Sequence, residues 1–287
     1  MTTAGHPSLG RQGFGAMRLR EHAAGGPDRD PVAVVDAVLD AGVTMIDTAD
    51  MYGNEDLVGR AIARRRDEVL LAGKFGVVWD DSLPGGYGIR ADSEYVRRAC
   101  EASLRRLGTD HIELYYLHHR STTTPIEETV QAMARLVEQG AIGAIGLSNV
   151  TAEDLRRAHA VHPVAALQEQ WSLAERGIER DLVPVAAELG VPLVAHSPTA
   201  HGVLHAAQES GSGGHVALRE IASAHGVTVG QVAIAWVHSR AATHGVDVVP
   251  LPGSTSADHV RANVAAGDIR LGPAELDRLT AVWAPGD

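Results

Sequence analysis

The chain has 287 residues, 45% of them hydrophobic and 21% charged, with 36 acidic against 25 basic side chains and a formal net charge of −11. This composition supports a large packed core, and its acidic balance argues against nucleic acid or an anionic membrane surface as a main partner. No run approaches the ~20 apolar residues of a membrane span, and a single cysteine, Cys100, excludes an internal disulfide.

Short apolar, β-branched runs alternate with longer helical patterns. In chain order, strands are expected at 13–17, 43–47, 69–74, 112–118, 141–148, 165–168, 192–196 and 246–251. Helical periodicity fills 31–41, 55–64, 93–107, 126–139, 152–159, 178–189, 216–225 and 229–240, and a further helix, 257–266, follows the last strand. Asp92 precedes the third helix and Gly108 closes it, as a cap and a left-handed terminator should. Two stretches rich in glycine, 76–90 and 208–215, read as mobile loops. Cys100 falls on an apolar helical stripe and reads as a core thiol. The lone cysteine, with no apolar leader at the N-terminus, points to a cytoplasmic protein.

Near-continuous apolar strands imply burial on both faces, the habit of a parallel sheet. Eight strand–helix units over this length predict a single-domain α/β fold, the (β/α)8 TIM barrel. A doubly wound sheet is the weaker alternative, because Gly13 and Gly15 lack the third glycine of a dinucleotide fingerprint.

In such a barrel the chemistry sits where strands end. The second to seventh strands end on Asp47, Lys74, His118, Ser148-Asn149, Gln168 and His196-Ser197, and the eighth runs into Gly253-Ser254. Each residue alone has a plain reading: a turn-forming aspartate, a solvated lysine, a hydrogen-bonded core histidine. A ring of them at one end of the barrel reads as a lined pocket. Met51, Trp79, Tyr87 and His119 stand on the adjoining loops and are expected to wall the substrate, with aromatic surfaces suited to flat or apolar carbonyls. His119 could face the pocket or the surrounding helices, and Trp79 could instead pack its loop onto the barrel rim.

The segments IDTADMYG, GKFG, ELYYLHH, GAIGLSN, LQEQWSL, AHSPTAHG and VPLPGSTSADHVRAN, in that order, resemble the successive signatures of the aldo-keto reductase family over nearly the whole chain. The resemblance implies hydride transfer between a nicotinamide cofactor and a carbonyl or alcohol. It implies Tyr52 as general acid, Lys74 as the neighbouring cation that lowers the phenol pKa, Asp47 as the counter-charge of Lys74, and His118 as the group that orients the carbonyl oxygen. It also implies a cofactor site built from Gly15, Met17, Ser148, Asn149, Gln168, His196, Ser197, Pro198, Thr199, Gly202, Gly253, Ser254, Ser256, His259 and Asn263. Three departures stand out. His196 replaces the aromatic, most often tyrosine, that stacks on the nicotinamide; the 253–256 segment carries no basic residue; and the loop after the seventh strand, about 201–215, is short. NADP(H) is the favoured cofactor and NAD(H) the alternative. NAD-linked oxidation of an alcohol or sugar lactol, and a cofactor-binding sensor, are the competing functions. A metal-dependent hydrolase using His118 and His119 is the remote one, since the sequence has no HExxH or HxH pair.

Overall fold

In the computed structural model, residues 7–21, 30–83, 85–204 and 213–283 are described. Ten strands are seen among them: β1 (Phe14–Gly15), β2 (Met45–Asp47), β3 (Leu70–Phe75), β4 (Val77–Trp79), β5 (Tyr87–Ile89), β6 (Ile112–Leu117), β7 (Ile142–Ser148), β8 (Val164–Gln170), β9 (Leu193–His196) and β10 (Val248–Leu251). Eight of them form one parallel sheet in the order β1-β2-β3-β6-β7-β8-β9-β10. The sheet closes on itself. Gly13 N–H donates to Pro250 O and Gly15 N–H to Pro252 O, both at 3.0 Å, and Gly15 bridges Gly253. The expected barrel is therefore the fold.

Closure depends on Gly253. A Cβ there would lie 2.6 Å from the carbonyl oxygen of Gly15, so only glycine lets the first and last strands meet at this height. The inside of the barrel is narrow and apolar. Met45, Ala72, Leu114, Tyr116, Ala144, Ala166 and Val194 pack across it, and Leu9 belongs to the same cluster. A second, larger apolar layer lies between the strands and the surrounding helices.

The helices are α1 (Pro31–Asp40), α2 (Glu55–Ile62), α3 (Ser93–Leu107), α4 (Ile126–Glu138), α5 (Ala152–Val161), α6 (Leu182–Leu189), α7 (Gly213–His225), α8 (Val229–His244), α9 (Ala257–Ala265) and α10 (Pro273–Val282). Asp92 caps α3 by accepting from Tyr95 N–H, and Gly108 ends it in the left-handed region, as the sequence predicts. Helix α10 was not expected. Its signals are local: Gly272-Pro273 opens it, and the Glu275 carboxylate accepts from Gly272 N–H at 2.7 Å.

The 76–90 stretch differs from expectation. It is an antiparallel hairpin of β4 and β5, in which Trp79 stands opposite Tyr87. The cross-strand aromatic pair and the β-branched residues at 77, 78 and 89 hold it against its glycines. Of the glycine-rich 208–215 stretch, residues 213–215 already belong to α7 and 208–212 lie outside the described residues, as does most of the short loop after β9. Among the described residues no helix is long and apolar enough to cross a membrane.

Candidate active site at the carboxyl ends of the strands

Strand β2 delivers Asp47 and β3 delivers Lys74 to the same end of the barrel, where both are almost fully buried. Lys74 Nζ donates to Asp47 Oδ1 and also to the carbonyl of Thr48, at 3.2 Å. The other oxygen of Asp47 accepts from Gln168 Nε2 at 2.8 Å. Burial drives Lys74 toward its neutral form, but the attraction of Asp47 and Tyr52 outweighs it, and its pKa stands above the ordinary lysine value.

Tyr52 reaches this pair from a single 3-10 turn, Asp50–Tyr52. The turn is pinned from both sides. Thr48 Oγ1 donates to Asn54 Oδ1 at 3.0 Å, and Asn54 Nδ2 donates to the carbonyls of Ala16 and Leu19, fastening 48–54 to the chain leaving β1. Asp50, which sequence reasoning passed over, accepts from Met51 N–H at 2.7 Å and from the backbone of Gly76. Burial, with Glu55 nearby, pushes the Asp50 carboxyl up to about 7. The result places Tyr52 Oη 3.4 Å from Lys74 Nζ.

Lys74 pulls the Tyr52 pKa down, as expected, yet the phenol still stands above 10, because its burial outweighs the lysine and Asp47 opposes it. The phenol is thus fully protonated at neutral pH. Lys74 lowers the cost of a phenolate formed there without making it the resting state.

His118, at the end of β6, packs edge-on against Tyr52 with ring centroids 5.8 Å apart. Burial, then Lys74, His119 and His196, pull its pKa down to about 2, so it is a neutral imidazole. Its Nδ1 is buried and makes no hydrogen bond within the protein. His119 lies beside His118 at this end of the barrel. It stacks on His118 at 5.1 Å and meets Tyr87 at 6.4 Å, and Tyr87 meets Trp79 at 6.3 Å. Three of the four residues expected to wall the substrate therefore form one file of rings leading from an exposed Trp79 to His118. Met51 lies on the Tyr52 turn.

The other side of the site is built by β7 and β8. Asn149 takes a left-handed backbone, φ +52. Its Nδ2 donates to His118 O at 2.9 Å and to Ser148 Oγ at 3.1 Å. These bonds leave the Ser148 hydroxyl proton to donate and Asn149 Oδ1 to accept. That donor–acceptor pair matches the carbonyl and NH2 of a carboxamide, so the residues fit a nicotinamide ring. Glu169, also missed in the sequence, lies behind this turn. Burial holds its carboxyl up at about 7 against two backbone N–H donors. The only sequence signal was an acid inside an apolar strand.

His196 ends β9 beside this turn, with its pKa pulled down to about 3 by burial and by Lys74. Its Nδ1 lies 3.1 Å from Ser197 Oγ, which lies 3.3 Å from His201 Nδ1. The 197–202 segment turns tightly: Ser197, Ala200 and His201 all have φ between +50 and +55. Pro198 within it is buried, Thr199 is half-buried, and Gly202 has φ +97. Gly15 and Met17 adjoin the opening, Met17 exposed. Beyond β10, Ser254 Oγ donates to Ser256 O and accepts from Ser256 N–H, so its hydroxyl is spent within its own loop. His259 is exposed and Asn263 half-buried on α9. Arg261 is tied to Asp258 at 2.6 Å.

No group of three or more metal-ligating side chains is found among the described residues. The Aldo/keto reductase family model matches residues 12–284. An aldo-keto reductase from Klebsiella pneumoniae, solved in complex with NADPH, is 37% identical, with a TM-score of 0.80 over 96% of this chain and 92% of that one. A glycerol dehydrogenase from Gluconobacter oxydans is 25% identical, with a TM-score of 0.85 over 99% and 96%. An aldo-keto reductase from Bacillus halodurans, in its holo form, is 28% identical, with a TM-score of 0.77 over 95% and 91%.

Proposed function

This chain belongs to the aldo/keto reductase family, an NAD(P)-dependent oxidoreductase, and we propose that it reduces an aldehyde or ketone with NADP(H), Tyr52 acting as general acid. The observation that carries the proposal is the buried Asp47–Lys74 pair with Tyr52 Oη 3.4 Å from the ammonium, at the end of the barrel where the strands finish. A nicotinamide held there would supply the hydride for the carbonyl carbon.

The protein's own groups do the rest. His118, neutral and buried, offers an N–H to the carbonyl oxygen and holds it near Tyr52 without itself giving up a proton. As negative charge builds on that oxygen, Tyr52 Oη passes its proton to it. The phenolate that remains faces Lys74, and Asp47 keeps Lys74 charged. Solvent returns the proton to Tyr52 afterwards. Ser148 and Asn149 would hold the carboxamide, and His196 would lie against the nicotinamide ring with less area than a phenol offers. The 197–202 and 253–263 segments would take the phosphates and adenosine. NADP(H) is favoured because the Klebsiella relative is solved with NADPH. The 253–256 segment has no guanidinium for the phosphates, which would have to be met by its remaining backbone N–H groups and the Thr255 hydroxyl. Substrates are small carbonyl compounds that fit between Met51 and the rings of Trp79, Tyr87 and His119.

Tyr52→Phe keeps the ring and removes only the proton. It should lower kcat for carbonyl reduction by about 10²–10⁴-fold, the usual worth of a general acid, with the Kd for NADPH unchanged. A near-wild-type rate in the folded variant would remove Tyr52 from the mechanism.

A further inference from the structure

We infer that Glu169 is a positioning residue that sets the shape of the carboxamide-binding turn: its carboxylate holds Ser148 and Asn149 in place by accepting the backbone N–H groups of the residues that follow Ser148. The inference rests on the proposed nicotinamide site.

Successive residues of a strand point to opposite faces. Gln168 turns into the barrel and binds Asp47, so Glu169 turns outward, behind the wall. There it is buried, and its Oε1 accepts from Val150 N–H at 3.1 Å. The backbone of Asn149 donates to the same carboxyl group. Two consecutive N–H groups that converge at a left-handed residue, here Asn149, make an anion-binding concavity. Here the anion is a side chain of the neighbouring strand. The rest of Asn149 is committed too. Its carbonyl accepts from Arg120 N–H at 3.3 Å, and its amide donates to His118 O. Glu169 supplies the remaining hold, on the N–H side.

The carboxylate is costly where it stands. Among the described residues no ion pair reaches it, and the guanidinium of Arg120 is taken by Asp154 at 2.6 Å. A residue that only filled space behind the strand would be apolar. An amide would accept through a single oxygen and would leave an NH2 group to be satisfied behind the strand. The geometry points to a carboxyl group as the acceptor, and what that acceptor controls is the direction of Ser148 Oγ and Asn149 Oδ1.

The test separates the nicotinamide end of the cofactor from the adenosine end. Glu169→Gln and Glu169→Asp are titrated with NADPH and with 2′,5′-ADP, which lacks the nicotinamide. Both variants should bind NADPH at least ten times more weakly than the wild type and 2′,5′-ADP within twofold of it. An equal loss for both ligands, or none for either, would overturn the inference. If Glu169→Gln does not fold, Glu169→Asp decides: it keeps the charge but withdraws it by one methylene, and wild-type NADPH affinity in that variant would overturn the proposal. A wild-type protein that binds 2′,5′-ADP but not NADPH would sink the nicotinamide reading, and Glu169's role with it. Weakened NADPH binding in the variants alone leaves that reading standing.

Discussion

Replacing Lys74 by Met removes the ammonium and keeps most of the side-chain volume. Asp47 is then left with one hydrogen bond, from Gln168 Nε2, in a place where its side chain is 3% exposed. A carboxylate so buried, without a cation, takes up a proton rather than stay charged. The cost of that proton bounds the damage. With an unfolded-state pKa of about 3.9 and about 1.36 kcal/mol per unit, protonating Asp47 costs about 4 kcal/mol at pH 7 and about 1.5 kcal/mol at pH 5. Burial already raises the Asp47 pKa in the wild type, where Lys74 pulls against it, and without Lys74 it rises further above the unfolded value. Stability is therefore fullest below the unfolded pKa and is lost as pH rises. Relative to the wild type, the deficit should grow by at most about 1.4 kcal/mol per pH unit between pH 5 and 7, toward the about 3–5 kcal/mol typical of a broken buried pair. Adding Asp47→Asn removes the titrating group and should flatten the slope. Urea unfolding followed by tryptophan fluorescence at pH 5, 6 and 7 measures this directly. Parallel curves for wild type and Lys74→Met would refute the claim that Asp47 depends on Lys74 for its charge.

The low pKa of His118, about 2, predicts that it carries no titration into the working range. His118→Gln should lower kcat/KM while leaving the shape of its pH profile between 5.5 and 8.5 unchanged, and the disappearance of a limb near pH 6–7 would show that His118 titrates after all. Gly253→Ala puts a methyl group 2.6 Å from Gly15 O and should cost about 1–3 kcal/mol, as overpacking does, seen as a lower urea midpoint at unchanged m; an unchanged midpoint would mean the barrel closes elsewhere. Thr255→Arg adds a guanidinium to a loop near which Arg261 is already paired with Asp258 and should tighten NADPH several-fold with NADH unaffected; equal changes for both cofactors would place the 2′-phosphate away from 255.

What the sequence could and could not say follows from the range of the forces involved. The barrel strands were readable because burial on both faces leaves an apolar run, and Asp47, Lys74 and Gln168 were readable because each interrupts such a run at its end. The β4–β5 hairpin was not, since its hold is a cross-strand ring contact between Trp79 and Tyr87 that local composition hides behind glycines. The side on which His119 lies depends on the stack it makes, which no neighbour in the chain announces. The net direction of the Tyr52 pKa was not legible because the sequence shows the lysine but not the depth of burial, and burial is the larger influence.

Glu169 was missed for a related reason. Alternation along β8 tells which face it takes, but not that the turn after β7 comes round behind it. Its neighbour Gln168 shows what such convergence does to the chemistry. Gln168 spends its amide on Asp47, 121 positions away, and stands directly opposite Ser148 on the neighbouring strand. The charge that steadies Lys74 and the turn that would seat the cofactor are thus joined through one residue. A change at Gln168 should reach both, raising the Kd for NADPH and lowering kcat together, whereas Tyr52→Phe touches kcat alone.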